Sequence, residues 1–326
     1  MDVFYFRPVP KYTIWGGKTC NRYFHFTGLF SDGVGQALAF SAQEEDGTVC
    51  MSGEYSGMTL RKMWEEAPHL FGNPQGVFPL LISLVAPEDD LSVQVHPDAE
   101  YAAMHGYPMG KNEAWYFIGC AEGSSIVYGH RAADEAELRA MMGAGQWQTL
   151  LKRMPVKDKD FVYIPAGLLH ALSKNTIVYE VQQSTDITYR LYDYDRRDEN
   201  GNGRPLNAEE AIAAMKYGKA EEKPFLPIQI NHENMAETTL IRNESFTVTR
   251  LEVTGAAYYS TANYRLATVA AGQGAVNGKP VIAGESFLIP VNTGVSLNGD
   301  MTVMLATRES ASFLEKDGTG NELQNT

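Results

Sequence analysis

Residues 91–119 contain two strand-like segments that carry three side chains able to bind a metal ion. In the first segment, LSVQVH, apolar and polar residues alternate, so a strand would project Gln94 and His96 from the same face. After a polar excursion, KNEAWYFIG begins a second strand that carries Glu113. The pattern therefore predicts a β-structure in which an amide, an imidazole and a carboxylate can share one ion.

A further metal ligand is predicted at His170. This residue lies in DFVYIPAGLLHAL, a strand that leads into a Pro-x-Gly turn, where a backbone corner can direct a side chain into the mouth of a barrel. Two imidazoles and a carboxylate, with the Gln94 amide oxygen as an optional fourth ligand, suit one Zn²⁺ per chain and tolerate Mn²⁺ or Fe²⁺. Either histidine alone would more often be an ordinary hydrogen-bonded core residue, but spacing and turn context together favour a metal site.

The net charge of −13 argues against a nucleic-acid partner, because phosphate backbones bind basic surfaces. An anionic small substrate would accordingly need local cations within an acidic protein. The N-terminal stretch lacks the pattern of a signal peptide, and no run of eighteen apolar residues occurs. Three scattered cysteines fit reduced thiols. These features predict a soluble cytoplasmic protein with no membrane partner, and they carry no signal for its oligomeric state.

The length of 326 residues predicts two domains. Frequent strand-like alternation, with 30 Gly and 15 Pro, predicts a mainly β protein. The segment KAEEKPFLPIQINHEN is rich in Pro and charge and marks the boundary, which gives an N-terminal domain of residues 1–225 and a C-terminal β domain of residues 226–326. Helical insertions are predicted in the first domain at about 58–68, 131–153 and 207–217.

An internal echo suggests that both halves contain the same small β-barrel. The segments DFVYIPAG at 160–167 and ESFLIPVNTG at 285–294 share an acidic residue, a strand and a Pro/Gly corner. The second segment lacks the histidine, so only the first barrel would bind metal. Near the N-terminus, Trp15 precedes Gly16 and Gly17, a pattern that predicts a turn with close backbone approach and a packing role for the tryptophan.

Three motifs together resemble the signature of type I phosphomannose isomerases, which are zinc enzymes of the cupin superfamily. They are Gln94-x-His96-Pro97, Lys111-Asn112-Glu113 and Pro165-Ala-Gly167-Leu-Leu-His170-Ala. The resemblance spans the whole chain and implies two cupin-like jelly-roll β-barrels with a helical insertion, the C-terminal barrel being free of metal. It also implies that His96, Glu113 and His170 bind the zinc ion. Gln94, which replaces the first histidine of the general cupin motif, matches a residue that ligates zinc in some members.

The same resemblance implies interconversion of mannose 6-phosphate and fructose 6-phosphate through an enediolate. Arg190 matches the active-site arginine of the family, and Lys111 and Glu180 match polar positions that line the site. Because a guanidinium is too weak an acid to move protons readily, Arg190 is expected to stabilise the developing oxyanion or to hold the substrate. The proton carrier stays open among Glu180, Lys111 and a water on the metal.

Each of these residues has an ordinary structural alternative. Arg190 could pair with Asp193 or Asp195 on the surface, Lys111 could be a solvated loop residue, and Glu180 could be a strand residue that faces water or a salt bridge. Two other functions are also compatible with a cupin metal site. One is a zinc-stabilised sugar-binding module without turnover, and the other is an oxygen-using Fe²⁺ enzyme. An isomerase assay and identification of the metal would separate the three.

Overall fold

The computed structural model describes residues 2–197, 201–217 and 225–309. The prediction of a mainly β protein is confirmed, since strands far outweigh helices. The strands of the described residues form three sheets, and no closed barrel is found among them. The two jelly-roll barrels therefore stay a prediction. None of the helices in these ranges is long and apolar enough to cross a membrane.

The strands are numbered in chain order as β1 Phe4–Arg7, β2 Val9–Gly17, β3 Val34–Phe40, β4 Val49–Cys50, β5 Leu80–Val85, β6 Val93–Val95, β7 Glu113–Cys120, β8 Ser125–His130, β9 Leu151–Pro155, β10 Phe161–Ile164, β11 His170–Ala171, β12 Thr176–Gln183, β13 Tyr189–Tyr192, β14 Ile228–His232, β15 Met235–Arg242, β16 Thr247–Val253, β17 Ala257–Thr261, β18 Arg265–Val276, β19 Lys279–Ile282, β20 Ser286–Ile289 and β21 Thr293–Thr307. The α-helices are α1 Thr19–Tyr23, α2 Leu60–Glu66, α3 Ala99–Met104, α4 Glu135–Gly143, α5 Trp147–Leu150 and α6 Ala208–Ala214. Short 3₁₀ turns occupy Gly53–Tyr55 and Pro68–Phe71.

The described residues form two compact units. One unit comprises residues 10–38 and 81–217, and the other comprises residues 2–9, 39–80 and 225–309. The predicted boundary at 225/226 lies beside one point where the chain passes between the units, although residues 218–224 of that linker lie outside the described ranges. Residues 2–9 and 39–80, which the sequence assigned to the N-terminal domain, belong to the unit that contains the C-terminal strands. The reason is that β1 pairs with β20 and with β4.

The unit of residues 10–38 and 81–217 contains two sheets, and all of the predicted site residues lie on strands of these sheets or within two residues of one. Their strand orders are β10-β7-β12-β5-β3-β2 and β13-β6-β11-β8-β9. One apolar cluster, which includes Trp115, Phe117, Ile126 and Leu172, draws side chains from both sheets. A second cluster covers the other face of the five-stranded sheet and includes residues of α6. Side chains that alternate with this second cluster along β6, β11 and β13 therefore lie on the opposite face of that sheet.

The other unit is built on a ten-stranded sheet in which β21 pairs with β16, β17 and β18. Alternating apolar residues of these strands form its core, which includes Leu251, Val269, Val295 and Val303. The echo segments become β10 and β20, one in each unit. All three cysteines are free thiols, as the sequence predicted.

Helices occur within all three of the predicted helical insertions. Helix α2 begins at a Thr59 cap and ends just before Pro68. The insertion at 131–153 contains α4 and α5, separated near Gly145, whose φ of 67° breaks the helix. Helix α6 lies in the last insertion, and Asn207, the N-cap residue directly before it, makes no capping hydrogen bond with its side chain, although asparagine favours that position.

The predicted close approach at Trp15-Gly16-Gly17 is present. A Cβ atom on Gly16 would collide with the backbone of Gly33 and Gly35, and Trp15 is buried in the core shared by the two sheets. Backbone atoms cannot move aside as a flexible side chain can. We therefore expect Gly16→Ala to lower the free energy of unfolding by about 1–3 kcal/mol, the usual penalty of overpacking.

Denaturant unfolding of the two proteins would measure this change. The matched control is Gly143→Ala at the end of α4, where a Cβ would meet no atom within 4 Å. That substitution should be neutral or stabilising by up to about 1 kcal/mol, because alanine favours a helix. Equal midpoints for Gly16→Ala and the wild-type protein would contradict the packing argument.

Candidate metal centre and active site

His96, Glu113 and His170 lie together in the interior of the unit of residues 10–38 and 81–217. The Nε2 atom of His96 is 3.3 Å from Glu113 Oε2, and the Nε2 atom of His170 is 3.1 Å from Glu113 Oε1. All three side chains are at most 1% exposed. Among the described residues, this is the one group of His, Cys, Asp and Glu side chains placed to share a metal ion.

Hydrogen bonds from the Pro-x-Gly turn hold the three motifs together. The Gly167 N–H donates to the His96 carbonyl oxygen over 2.7 Å. The neighbouring Ala166 N–H donates to Asn112 Oδ1 over 2.9 Å. Asn112 directly precedes Glu113, so the turn that leads to the second histidine also positions the carboxylate. Residues far apart in the chain are brought to one place by short, specific contacts.

Both imidazoles are oriented by backbone carbonyl groups. His96 Nδ1 lies 2.8 Å from the Ile187 oxygen, and His170 Nδ1 lies 2.8 Å from the Leu168 oxygen. Because a carbonyl oxygen can only accept, each Nδ1 carries the proton and each Nε2 presents its lone pair to Glu113. Both Nε2 atoms and both Glu113 oxygens are buried without a hydrogen-bond partner. Facing lone pairs repel one another, and a divalent cation between them would convert the repulsion into coordination.

The protonation states in the cluster also fit a cation. Burial, followed by the charge of Lys111, lowers the pKa of His96 to about 3, so the imidazole is neutral near pH 7. Burial alone would raise the pKa of Glu113. The Lys111 ammonium 3.4 Å from its Oε2, together with the two imidazoles, nevertheless keeps that pKa well below its ordinary value. A neutral imidazole and an ionised carboxylate are the forms that bind metals.

Gln94 and Arg190 lie in one row with His170 across the five-stranded sheet. His170 is directly opposite Gln94 in the pairing of β11 with β6, and Arg190 is directly opposite Gln94 in the pairing of β13 with β6. Directly opposite residues of antiparallel strands share a face. Gln94 is therefore beside the second histidine, and Arg190 is two strands, roughly 10 Å, from it.

Arg190 is half-buried, and its Nε atom has no hydrogen-bond partner. Burial, with the nearby charge of Arg204, lowers the pKa of its guanidinium. Among the described residues no ion pair joins Arg190 to Asp193 or Asp195, although the charge of Asp193 partly offsets this lowering of the Arg190 pKa. Asp193 pairs with Arg196 and with Arg204, and Asp195 accepts a hydrogen bond from a tyrosine. Arg190 thus keeps donor capacity for a ligand.

Glu180 and Lys111 are also interior residues, so neither is the water-exposed residue that the structural alternative required. Glu180 Oε1 accepts a hydrogen bond from Trp115 Nε1 over 2.9 Å, and Glu180 Oε2 accepts one from Gln36 Nε2 over 3.3 Å. Burial, followed by the charge of Glu113, raises the pKa of Glu180 to about 7. A carboxyl group that titrates near neutral pH can both take and return a proton. The site therefore combines the cluster of His96, Glu113 and His170 with a carboxyl group that titrates near neutral pH and with the side chains of Lys111 and Arg190.

The contacts of Gln36 and Ser83 with this site were not predicted from the sequence. Ser83 Oγ accepts a hydrogen bond from the Gln36 amide over 2.8 Å. Each is a single polar residue within an apolar strand, in VGQALAF and LLISLV. A lone polar side chain in a buried strand needs a partner, and this was the signal that could have identified both residues.

Comparison with known proteins gives a consistent result. Residues 35–117 match the family model described as phosphomannose isomerase type I, catalytic domain. This range includes Gln94, His96, Lys111 and Glu113. The chain is 40% identical over 265 residues to the mannose-6-phosphate isomerase of Streptococcus mutans, with 81% of this chain and 83% of the relative covered. It is 38% identical over 300 residues to the mannose-6-phosphate isomerase ManA of Bacillus subtilis, with 89% and 93% covered.

A solved structure is also similar to this one. The crystal structure of the mannose 6-phosphate isomerase from Bacillus subtilis superposes with a TM-score of 0.89 at 33% sequence identity. The match covers 94% of this chain and all of the other. The similarity therefore extends over both units and is not confined to the motifs around the metal-binding set.

Proposed function

The chain belongs to the type I phosphomannose isomerase family, and we propose that it interconverts mannose 6-phosphate and fructose 6-phosphate with a divalent metal ion held by His96, Glu113 and His170. The observation that carries the metal assignment is the buried cluster in which two Nε2 lone pairs face a carboxylate. Two imidazoles and one carboxylate suit Zn²⁺, and Gln94, placed beside His170, would add a fourth ligand. When bound, the ion would act as a Lewis acid for the sugar oxygens on which negative charge develops.

The side chains around the cluster have separate tasks in this proposal. An aldose–ketose exchange removes a proton from the carbon beside a carbonyl and returns one to the neighbouring carbon, through an enediolate. Glu180, buried and with a pKa of about 7, takes and returns that proton at its carboxylate. Glu180 pairs with Trp115 across β12 and β7, and Glu113 is two residues from Trp115 along β7. The proton carrier and the metal-binding carboxylate therefore share one face of the sheet.

Two cations complete the proposed site. Lys111, only 7% exposed, places its ammonium 3.4 Å from Glu113 and supplies positive charge at the metal-binding end. Arg190 lies two strands from His170 and has an unpaired buried N–H, so it would bind an anionic oxygen of the substrate. These are the local cations that an acidic protein needs in order to hold a sugar phosphate. The convergence of Arg190, Lys111 and Glu180 on the cluster favours turnover over a sugar-binding module.

We also propose that each unit is a cupin-like jelly roll and that one of them binds metal. In support, the unit of residues 10–38 and 81–217 places two sheets around a common core and carries the whole metal-binding set. The described part of the other unit contains no comparable group of His, Cys, Asp and Glu side chains. Its function would then be structural, as the missing histidine of its echo segment predicts.

Metal removal is the direct test of this proposal. Chelation of the purified protein should abolish conversion of fructose 6-phosphate, because the two histidines and Glu113 would lose the ion that holds them and polarises the substrate. Added Zn²⁺ should restore the activity. The measurement is the isomerisation rate beside the metal content per chain, before chelation, after it and after addition of each metal.

The same samples also distinguish the isomerase from the two alternative functions. Full turnover by metal-free protein would overturn the metal assignment. Zinc binding without any turnover would favour the sugar-binding module, and activity that needs Fe²⁺ and oxygen would favour the oxygen-using enzyme. Mg²⁺ added in place of Zn²⁺ is the control, because this imidazole-containing set binds such a hard ion poorly.

A further inference from the structure

Glu180 is held from two sides by a chain of hydrogen bonds that spans one sheet. Ser83 Oγ accepts from Gln36 Nε2 over 2.8 Å, and the same Nε2 donates to Glu180 Oε2 over 3.3 Å. On the other side, Trp115 Nε1 donates to Glu180 Oε1 over 2.9 Å. The four residues lie on β5, β3, β12 and β7, which are contiguous strands of the six-stranded sheet.

The chemistry of the donors determines what this arrangement does. The indole N–H of Trp115 and the amide N–H groups of Gln36 can only donate, and each binds a different oxygen of the carboxylate. Two attachments on separate oxygens fix both the position and the plane of the carboxyl group. A glutamate side chain with several free torsions would otherwise sample many orientations, and only some would face the reacting carbon.

Ser83 anchors the Gln36 amide that faces Glu180. With Nε2 donating to both Ser83 and Glu180, both N–H groups of the amide are used. The carboxylate sets the orientation of the amide, because a reversed amide would point its oxygen at a carboxylate oxygen, whereas the Ser83 hydroxyl can accept from Nε2 or donate to the amide oxygen. Ser83 is fully buried, so water cannot replace that partner. The serine therefore acts on Glu180 only through Gln36.

Trp115 also connects the carboxylate to the metal-binding set. Its ring packs edge-on against the His170 imidazole, with the ring centroids 5.7 Å apart. The same side chain thus contacts a proposed metal ligand with its ring and the proposed proton carrier with its N–H. This contact fixes the distance between the two groups that have to act on adjacent atoms of one substrate.

We propose that Gln36, anchored by Ser83, and Trp115 are positioning residues that hold the Glu180 carboxylate at the reacting carbon for proton transfer. This inference rests on the proposed function of Glu180. The competing explanation is that the same contacts only satisfy buried polar atoms and stabilise the fold. The two explanations differ in kinetics, because a positioning residue affects the proton-transfer step while binding of the substrate and the metal is retained.

The test uses Gln36→Met in the metal-loaded protein. Methionine keeps the length and volume of glutamine and removes both hydrogen bonds. We expect kcat for fructose 6-phosphate to fall about 10- to 100-fold, the range that follows from misplacing a reacting group, with KM and metal content unchanged. The primary isotope effect with mannose 6-phosphate deuterated at C2 should increase, because proton transfer becomes more fully rate-limiting. Gln229→Met, at an exposed glutamine of β14, is the matched control and should change none of these values.

A double substitution separates this inference from the function on which it rests. If Gln36 acts through Glu180, adding Gln36→Met to Glu180→Ala should lower kcat no further. Full activity of Glu180→Ala alone would refute the proton-transfer role of Glu180, whatever Gln36 does. Loss in the double variant equal to the product of the two single losses would refute the positioning role and leave Glu180 in place. A rise in KM with unchanged kcat, or a lower unfolding temperature with wild-type kinetics, would also overturn the positioning role.

Ser83→Ala keeps the inference testable if Gln36→Met loses its metal or fails to fold. This variant removes one contact of Gln36 and leaves the glutamine in place. We expect a smaller decrease in kcat than for Gln36→Met, again with a larger isotope effect and unchanged KM. Wild-type kcat and isotope effect in a folded Ser83→Ala protein would show that the contact between Ser83 and the Gln36 amide is irrelevant to turnover.

Discussion

Glu113→Gln is expected to abolish tight metal binding and to lower turnover by about a thousandfold, since Lewis-acid catalysis contributes several kcal/mol and each 1.4 kcal/mol is a factor of ten. Glu113 is the one carboxylate of the cluster and lies within 3.3 Å of both imidazoles. Glutamine has the same shape but no charge. Its amide N–H can satisfy only one of the two histidine lone pairs, and a neutral amide is a weaker metal ligand than a carboxylate.

Three measurements on one preparation check this prediction: metal per chain, isomerisation rate, and the unfolding temperature with and without Zn²⁺. The wild-type protein should be stabilised by Zn²⁺, because a ligand that binds the folded state raises its stability, and the variant should not. Wild-type metal content in Glu113→Gln would contradict the assignment of this residue as a ligand.

The chain offers a matched control at a second histidine–glutamate pair. His232 Nε2 lies 3.5 Å from Glu237 Oε2, in the other unit, and both side chains are partly exposed. Glu237→Gln removes the same charge beside an imidazole but outside the buried cluster. Metal content and rate should be unchanged. A similar loss in both variants would mean that the effect of Glu113→Gln reflects overall charge and not coordination.

The convergence of His96, Glu113 and His170 could be predicted from the sequence because it depends on local rules. Strand alternation directs Gln94 and His96, which are two residues apart, to the same face. The Pro-x-Gly turn before His170 changes the direction of the chain between β10 and β11. The turn binds the His96 carbonyl through Gly167. Local pattern and long-range contact therefore agree at these positions, which makes such motifs recognisable in a single sequence.

Other features depend on contacts that no local pattern encodes. Gln36 and Glu180 are 144 residues apart, and their hydrogen bond exists only because β5 lies between β3 and β12. The makeup of the two units has the same origin, because β1 pairs with β20 at the far end of the chain. A sequence reading that divides the chain at one point cannot represent an N-terminal strand inside a C-terminal sheet. Strand order in a sheet follows from tertiary packing, which is non-local.

Arg190→Ala is expected to retain its metal and to lose a factor of about 10²–10³ in kcat/KM, the cost of removing one preorganised donor from a charged substrate group. The guanidinium lies in the row of Gln94 and His170 and holds a buried N–H without a partner. Burial lowers the pKa of Arg190, which means that keeping its guanidinium charged costs the folded protein free energy. A side chain kept at such a cost fits a role in binding an anion.

That cost gives the Arg190 prediction a second readout. If the arginine serves the substrate, Arg190→Ala should leave the unfolding temperature unchanged or raise it, whereas a structural arginine would lower it on removal. Arg190→Lys should recover only part of the rate, because an ammonium lacks the planar fork of donors. The control is Arg139→Ala, an exposed arginine paired with Glu135 and Glu209, which should change neither rate nor metal content.

The kinetic constants of Arg190→Ala show which substrate charge the arginine binds. A fall in kcat would place Arg190 at the charge that develops during reaction, and a rise in KM alone would place it at a charge already present in the bound substrate. Destabilisation of Arg190→Ala with wild-type kinetics would contradict both roles.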